Sequence, residues 1–130
     1  DAPTNKYADG RVRANGLTKD YFPSLIPNGS HIYYFDKETA TAIKNQYKEV
    51  NGNWYYFGPN WYALTGEQTI DGAHVYFHRD GKQAKGELVT VNDKLHYYDP
   101  NSGARTENTT LTIEGKTYHF DAEGNGKLLN

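Results

Sequence analysis

Gln83 and Lys85 stand two residues apart in Gly81-Lys82-Gln83-Ala84-Lys85-Gly86, and an extended chain turns both side chains to one face. An amide donates and accepts hydrogen bonds, whereas an ammonium only donates. Together they suit a rim of hydroxyl groups. Four rings lie upstream: Trp54, Tyr56, Trp61 and Tyr62. A sugar offers a flat C–H face and a hydroxyl edge, so an exposed ring beneath it and polar groups beside it would hold it. Trp54 and Tyr56 share one face by period two. Trp61 takes the turn position that Gly81 and Gly103 hold in other repeats and is expected to be exposed; Tyr62 follows it. Tyr76, the middle ring of the next repeat, completes the candidate set. The bland alternative packs Trp54 and Tyr56 between hairpins and leaves Gln83 and Lys85 solvated; taken as a group, the residues favour a pocket.

Other chemistry finds little support. Asp36, Asp80, Asp99 and Asp121 recur in turn positions, where a carboxylate shapes the backbone. Neither a carboxylate pair for acid–base work nor a serine or cysteine nucleophile motif stands out, so the chain reads as non-catalytic. His74 and His78 are four residues apart in an extended chain, too far to share one ion easily, and no metal or cofactor is expected. A formal charge of −2 with scattered signs gives no basic stripe for nucleic acid. No apolar run approaches the roughly 20 residues of a membrane helix. The absence of Cys excludes disulfide staples, and the lack of both Cys and Met leans towards an exported bacterial protein, secreted or at the cell surface.

The elements that must position these residues are announced by a recurring triplet. Tyr33-Tyr34-Phe35, Tyr55-Tyr56-Phe57, Val75-Tyr76-Phe77, His96-Tyr97-Tyr98 and Tyr118-His119-Phe120 end at 35, 57, 77, 98 and 120, with steps of 22, 20, 21 and 22. A short fixed period marks a stacked repeat array. Turns precede the triplets at Asn28-Gly29, Asn51-Gly52, Asp71-Gly72, Asn92-Asp93 and Glu114-Gly115, and second turns follow at Asp80-Gly81, Asn101-Ser102-Gly103 and Glu123-Gly124. Each unit then reads as a triplet strand, a turn and a short second strand such as Lys82–Lys85. The expected fold is an all-β solenoid of stacked hairpins of about 21 residues each, with almost no helix. Residues 28–130 hold five repeats; residues 1–27 form an irregular partial repeat or insertion, with Tyr7-Ala8-Asp9-Gly10 resembling the back half of a repeat and Leu17–Pro27 interrupting the period. A chain that starts and stops within repeats is expected to be a fragment of a longer protein.

Period two gives each triplet strand two faces. Tyr33 and Phe35, Tyr55 and Phe57, Val75 and Phe77, His96 and Tyr98, and Tyr118 and Phe120 should form the core. The other face, with Ile32 and Tyr34, Trp54 and Tyr56, His74 and Tyr76, Leu95 and Tyr97, and Thr117 and His119, is more polar and should be partly exposed. With eight Leu, five Ile and five Val against 19 aromatics, the core must be built largely from rings.

The stretches Asn51–Phe57, Leu64–Gly72, Asp80–Glu87, Leu95–Gly103 and Gly115–Asp121 resemble the C-terminal glucan-binding repeats of bacterial glucansucrases, the secreted enzymes that build dextran-like α-glucans from sucrose. The resemblance spans roughly residue 28 to the end. It implies α-glucan or isomalto-oligosaccharide as partner, with a ring stacked on glucose and a Gln-x-Lys pair on its hydroxyls. Gln83-Ala84-Lys85 matches that pair, and Tyr62 is the first choice for the ring, followed by Trp61, Tyr56 and Trp54. Ala63-Leu64-Thr65 and Arg105-Thr106-Glu107 depart from the pattern, so one pocket is expected. Choline-binding repeats are also similar, but their aromatic cage needs a Trp where this chain has Glu67 and, one repeat on, Glu87. Clostridial toxin repeats, which would imply a cell-surface glycan, and a structural spacer are the remaining alternatives.

Overall fold

The computed structural model describes residues 3–4, 16–21 and 31–129. The segment around Tyr7-Ala8-Asp9-Gly10 lies outside these residues. Among them there are eleven strands and no helix: β1 (Gly16–Tyr21), β2 (His31–Phe35), β3 (Gln46–Val50), β4 (Asn53–Phe57), β5 (Gly66–Ile70), β6 (Ala73–Phe77), β7 (Glu87–Val91), β8 (Lys94–Tyr98), β9 (Thr109–Ile113), β10 (Lys116–Phe120) and β11 (Gly126–Leu128). Contacts divide the chain into two compact units. Residues up to Thr65 with His78–Lys82 form the first; Gly66–Phe77 with the residues from Gln83 onward form the second. The fold is all-β, of the hairpin-repeat solenoid class.

Hairpin pairing differs from the expectation in one respect. The triplet strand pairs across the turn that precedes it: β3 with β4, β5 with β6, β7 with β8 and β9 with β10, in register over five residues each. The cause lies in the turn. Asn51 and Gly52 both adopt positive φ (52° and 81°), as do Asp71 and Gly72, Asn92 and Asp93, and Glu114 and Gly115. Two consecutive left-handed residues make the two-residue turn whose twist matches that of the flanking strands. The turn after the triplet is wider. Asp99 Oδ2 accepts the amides of Asn101 and Ser102 at 2.8 Å each, and Asp121 Oδ1 those of Glu123 (3.0 Å) and Asn125 (2.8 Å). This is the turn-shaping role the sequence suggested for these carboxylates.

The expected second strand is reduced to a connector. It touches its own triplet strand through single bridges, Phe57↔Ala63, Phe77↔Gln83 and Tyr98↔Arg105. Its other edge bonds an earlier triplet strand. Ala63 N–H donates to Ile32 O in the first unit, and Arg105 N–H to His74 O in the second, both at 2.8 Å. The connector therefore splices hairpins instead of completing one. After β10 it lengthens into β11, giving a three-stranded sheet. β1 (Gly16–Tyr21), which takes in the start of the Leu17–Pro27 stretch expected to interrupt the period, pairs with β2.

The two-faced reading of the triplets holds. Phe35, Phe57, Phe77 and Phe120 are fully buried, and Tyr33, Tyr55, Val75, His96, Tyr98 and Tyr118 are buried with them. Each phenylalanine contributes about 2–3 kcal/mol of burial free energy, which a lone hairpin could not muster. On the other face Trp54, Tyr56, Tyr76 and Tyr97 are half-buried, and His74 and His119 exposed. Tyr34 departs from its face-mates and is buried, in a cluster with Tyr55, Phe57 and Ala63.

Candidate functional site

Every wide turn places one residue in the left-handed region: Ala40 (φ 56°), Trp61 (69°), Gly81 (88°), Gly103 (76°) and Gly124 (76°). Two residues beyond each turn position comes a connector side chain: Ala42, Ala63, Gln83 and Arg105. The next turn settles on that side chain. A Cβ built on Gly81 would stand 3.3 Å from Ala63 Cβ; one on Gly103, 2.4 Å from Gln83 Nε2; one on Gly124, 2.5 Å from Arg105 Nε. At Gly81, Gly103 and Gly124 the absence of a Cβ admits this close approach as well as the φ.

Gln83 is therefore only 8% exposed, lodged under the Asn101-Ser102-Gly103 turn. The solvated alternative thus does not hold for Gln83: the covering turn comes from twenty residues further on. Its amide Nε2 and Oε1 are both buried without a hydrogen-bond partner among the described residues. Buried polar atoms in folded proteins are nearly always paired. Lys85 reaches the same turn. Its Nζ donates to Asn101 O at 3.1 Å, and its Cε would be 3.5 Å from a Gly103 Cβ. The structure thus brings Gln83 and Lys85 together, as their spacing suggested. Tyr76, in the same unit, stacks on Tyr98 with centroids 5.9 Å apart and pairs with Glu67 across the hairpin.

The aromatic candidates of the first unit fall into separate settings. Trp54 and Tyr56 flank Tyr47, whose ring meets theirs edge-on at 6.3 and 4.9 Å. Tyr47 extends the half-buried aromatic surface and escaped notice in the sequence because its strand carries no triplet. Trp61 occupies the left-handed slot predicted for it but is half-buried, not open. It packs against the cluster containing Ala42, with Lys44 Nζ 4.8 Å from its ring centroid. A tryptophan held at positive φ is an outlier for a bulky side chain. Tyr62 stacks on His31 at 4.0 Å, nearly parallel, and meets Tyr33 edge-on.

A polar cleft of about 360 Å³ opens in the second unit between β5–β6 and the connector after β8, lined among others by Glu67, His74, Tyr98 and Arg105. Burial, with Glu67 nearby, pushes the Tyr98 phenol up to about 12. Backbone amide donors hold Asp36, Asp99 and Asp121 below the usual carboxylate range.

Comparison with known proteins agrees with this architecture. Residues 64–109 match the choline-binding repeat family, and residues 45–60 a cell wall binding repeat family. Glucosyltransferase-S of Streptococcus mutans is 42% identical over 74 residues, which is 56% of this chain and 5% of that protein. The chain thus spans a small fraction of that relative's length. Choline binding protein F of Streptococcus pneumoniae shares the fold with a TM-score of 0.66 at 27% identity, over 88% of this chain and 35% of that one. Alternansucrase, solved with isomaltononaose, matches 86% of this chain and 10% of its own, with a TM-score of 0.52 and 27% identity.

Proposed function

We propose that this chain, whose repeats are of the choline-binding and cell-wall-binding kind and homologous to the C-terminal repeats of glucosyltransferases, is a non-catalytic module that binds α-glucan. One observation carries the reading: the repeats are homologous to those of glucosyltransferases and set the Lys85 ammonium, only half-buried, at the Gly103 turn that covers Gln83. A sugar hydroxyl can accept from the Lys85 ammonium at the surface, whereas the Gln83 amide, with both polar atoms buried, is reached only if the Asn101-Ser102-Gly103 turn shifts. Trp54, Tyr56, Trp61 and Tyr62 of the first unit and Tyr76 of the second are half-buried rings, and Tyr76 is the one in the same unit as Gln83 and Lys85. Affinity at one seat is weak, because few contacts must offset the loss of ligand freedom; a polymer gains by multivalency. The parent protein is a secreted or cell-surface glucansucrase, and the module holds product near its catalytic part.

Affinity electrophoresis in gels with and without dextran tests this. Retardation of the chain, lost in a folded Gln83→Ala, Lys85→Ala double variant, supports both the function and the seat. Retardation that survives keeps the function and moves the site. Choline is the second reading, favoured by the family match over residues 64–109; retention on a choline matrix with no retardation by dextran selects it.

A further inference from the structure

We propose that the cleft around Glu67, His74 and Arg105 is a second seat for a neutral hexose unit, gripped through its hydroxyls without a stacking ring. The inference rests on the α-glucan reading above and extends it to a connector that lacks the Gln-x-Lys pair.

The geometry supplies the first argument. Arg105 is the counterpart of Gln83. Each lies two residues beyond a left-handed glycine, and each is covered by the glycine of the following wide turn, at 2.5 and 2.4 Å from a built Cβ. The fold thus repeats the seat, here beside a cleft of about 360 Å³, within the usual size for small-ligand sites.

The chemistry narrows the ligand. Arg105 Nε and Nη2 both reach Glu107 Oε2, at 2.9 and 2.8 Å, which fixes the guanidinium plane. Its remaining N–H groups have no hydrogen-bond partner among the described residues and can donate. Glu67 is exposed and accepts; one of its oxygens takes a long bond of 3.4 Å from Asn92 Nδ2. Thr69 Oγ1 and His74 Nδ1 share a hydrogen bond of 3.2 Å at the wall, leaving the hydroxyl and the ring a further polar position each. Two carboxylates, Glu67 and Glu107, outweigh the one guanidinium, which disfavours a phosphate or carboxylate ligand. A quaternary ammonium needs open ring faces, and Tyr98 is only 1% exposed. A ligand that both donates and accepts, carries no charge and needs no ring beneath it is a sugar unit.

The test follows the isotope-labelled 130-residue chain by NMR during titration with isomaltotriose. The Arg105 Nε–H and the Thr69 and His74 amides report the cleft; the Gln83 side-chain amide reports the first seat. Both sets are expected to shift. Gln83→Ala should leave the Arg105 response unchanged, and Glu67→Ala, a surface change that spares the fold, should weaken it at least threefold. If the cleft signals stay still while the Gln83 amide moves, the inference fails and the glucan reading stands. If the cleft moves and the Gln83 amide does not, the inference stands and the first seat falls. If neither moves, both fail. Equal cleft shifts with choline chloride or inorganic phosphate overturn the neutral-sugar assignment.

Discussion

Two connectors of the second unit, Gln83-Ala84-Lys85 and Arg105-Thr106-Glu107, occupy the same place in successive repeats and reach opposite states. Arg105 is paired within its own connector: Glu107, two residues on, takes its Nε and Nη2. Gln83 has the same spacing to Lys85, and its Oε1 could accept from that ammonium, but the bond is not made. Lys85 turns to the Asn101 carbonyl, and the amide is left alone. The difference teaches that a repeat fold can hold its backbone constant while one pair of side chains decides whether a connector's polar groups find partners within the protein.

The strongest way to break the comparison is at the covering glycines. Gly103→Ala combines positive φ with a Cβ 2.4 Å from the enclosed Gln83 amide, and should destabilise by about 2–3 kcal/mol in urea unfolding. Gly124→Ala sets a Cβ 2.5–2.7 Å from Arg105 Cδ, Nε and Cγ, which Glu107 holds in place, and should cost a similar amount. Gly115→Ala, also at positive φ but in open space, isolates the backbone part and should cost about 1 kcal/mol. Equal losses for all three would show that the turns do not bear on the connectors.

A smaller effect sharpens the contrast between satisfied and unsatisfied groups. Gln83→Ala should leave stability within about 1 kcal/mol of the parent, since the atoms removed have no partner among the described residues to lose. Trp61→Gly restores the residue that Gly81 and Gly103 supply in equivalent turns. Relief of the left-handed strain should offset the lost packing on Ala42 to within about 1 kcal/mol. Weaker dextran retardation in that variant, with an unchanged unfolding midpoint, would assign the ring to the ligand; unchanged retardation would confine it to the fold.

Protonation gives the mildest tests. The Tyr98 phenol has a folded value of about 12 against 10 unfolded, so its contribution to stability is complete below pH 10 and declines as pH rises from about 10 to about 12. Tyr98→Phe should flatten that alkaline decline. Asp99 is shifted the other way. Its contribution is present above the ordinary carboxylate value and is lost as pH falls through its lowered folded value, a small effect because the group is exposed. An NMR titration in which Asp99 follows an ordinary exposed aspartate would refute its role in ordering the turn.

Much of this was legible in the residues themselves. The triplets gave the repeat and its two faces, because alternation in a strand is a local rule and a ring-rich face must be buried somewhere. The partner strands were harder to see. Gly66-Glu67-Gln68-Thr69-Ile70 is mostly polar, and it pairs because the Asp71-Gly72 turn folds it onto Ala73–Phe77, not because its own pattern declares a strand. Tyr47 went unnoticed with its strand for the same reason. The spacing of Gln83 and Lys85 put them on one face, but nothing in that spacing could reveal that a turn twenty residues on encloses the amide.

The sequence alone determined an all-β repeat, its aromatic core, its turn chemistry and the shared face of Gln83 and Lys85, all of which follow from residues close to one another in the chain. Tertiary structure alone decided what covers each connector. Gly103 descends on Gln83 and Gly124 on Arg105 from about twenty residues away, through contacts that exist only once the hairpins are spliced. Burial of that kind depends on which surfaces meet, and local pattern carries no record of it.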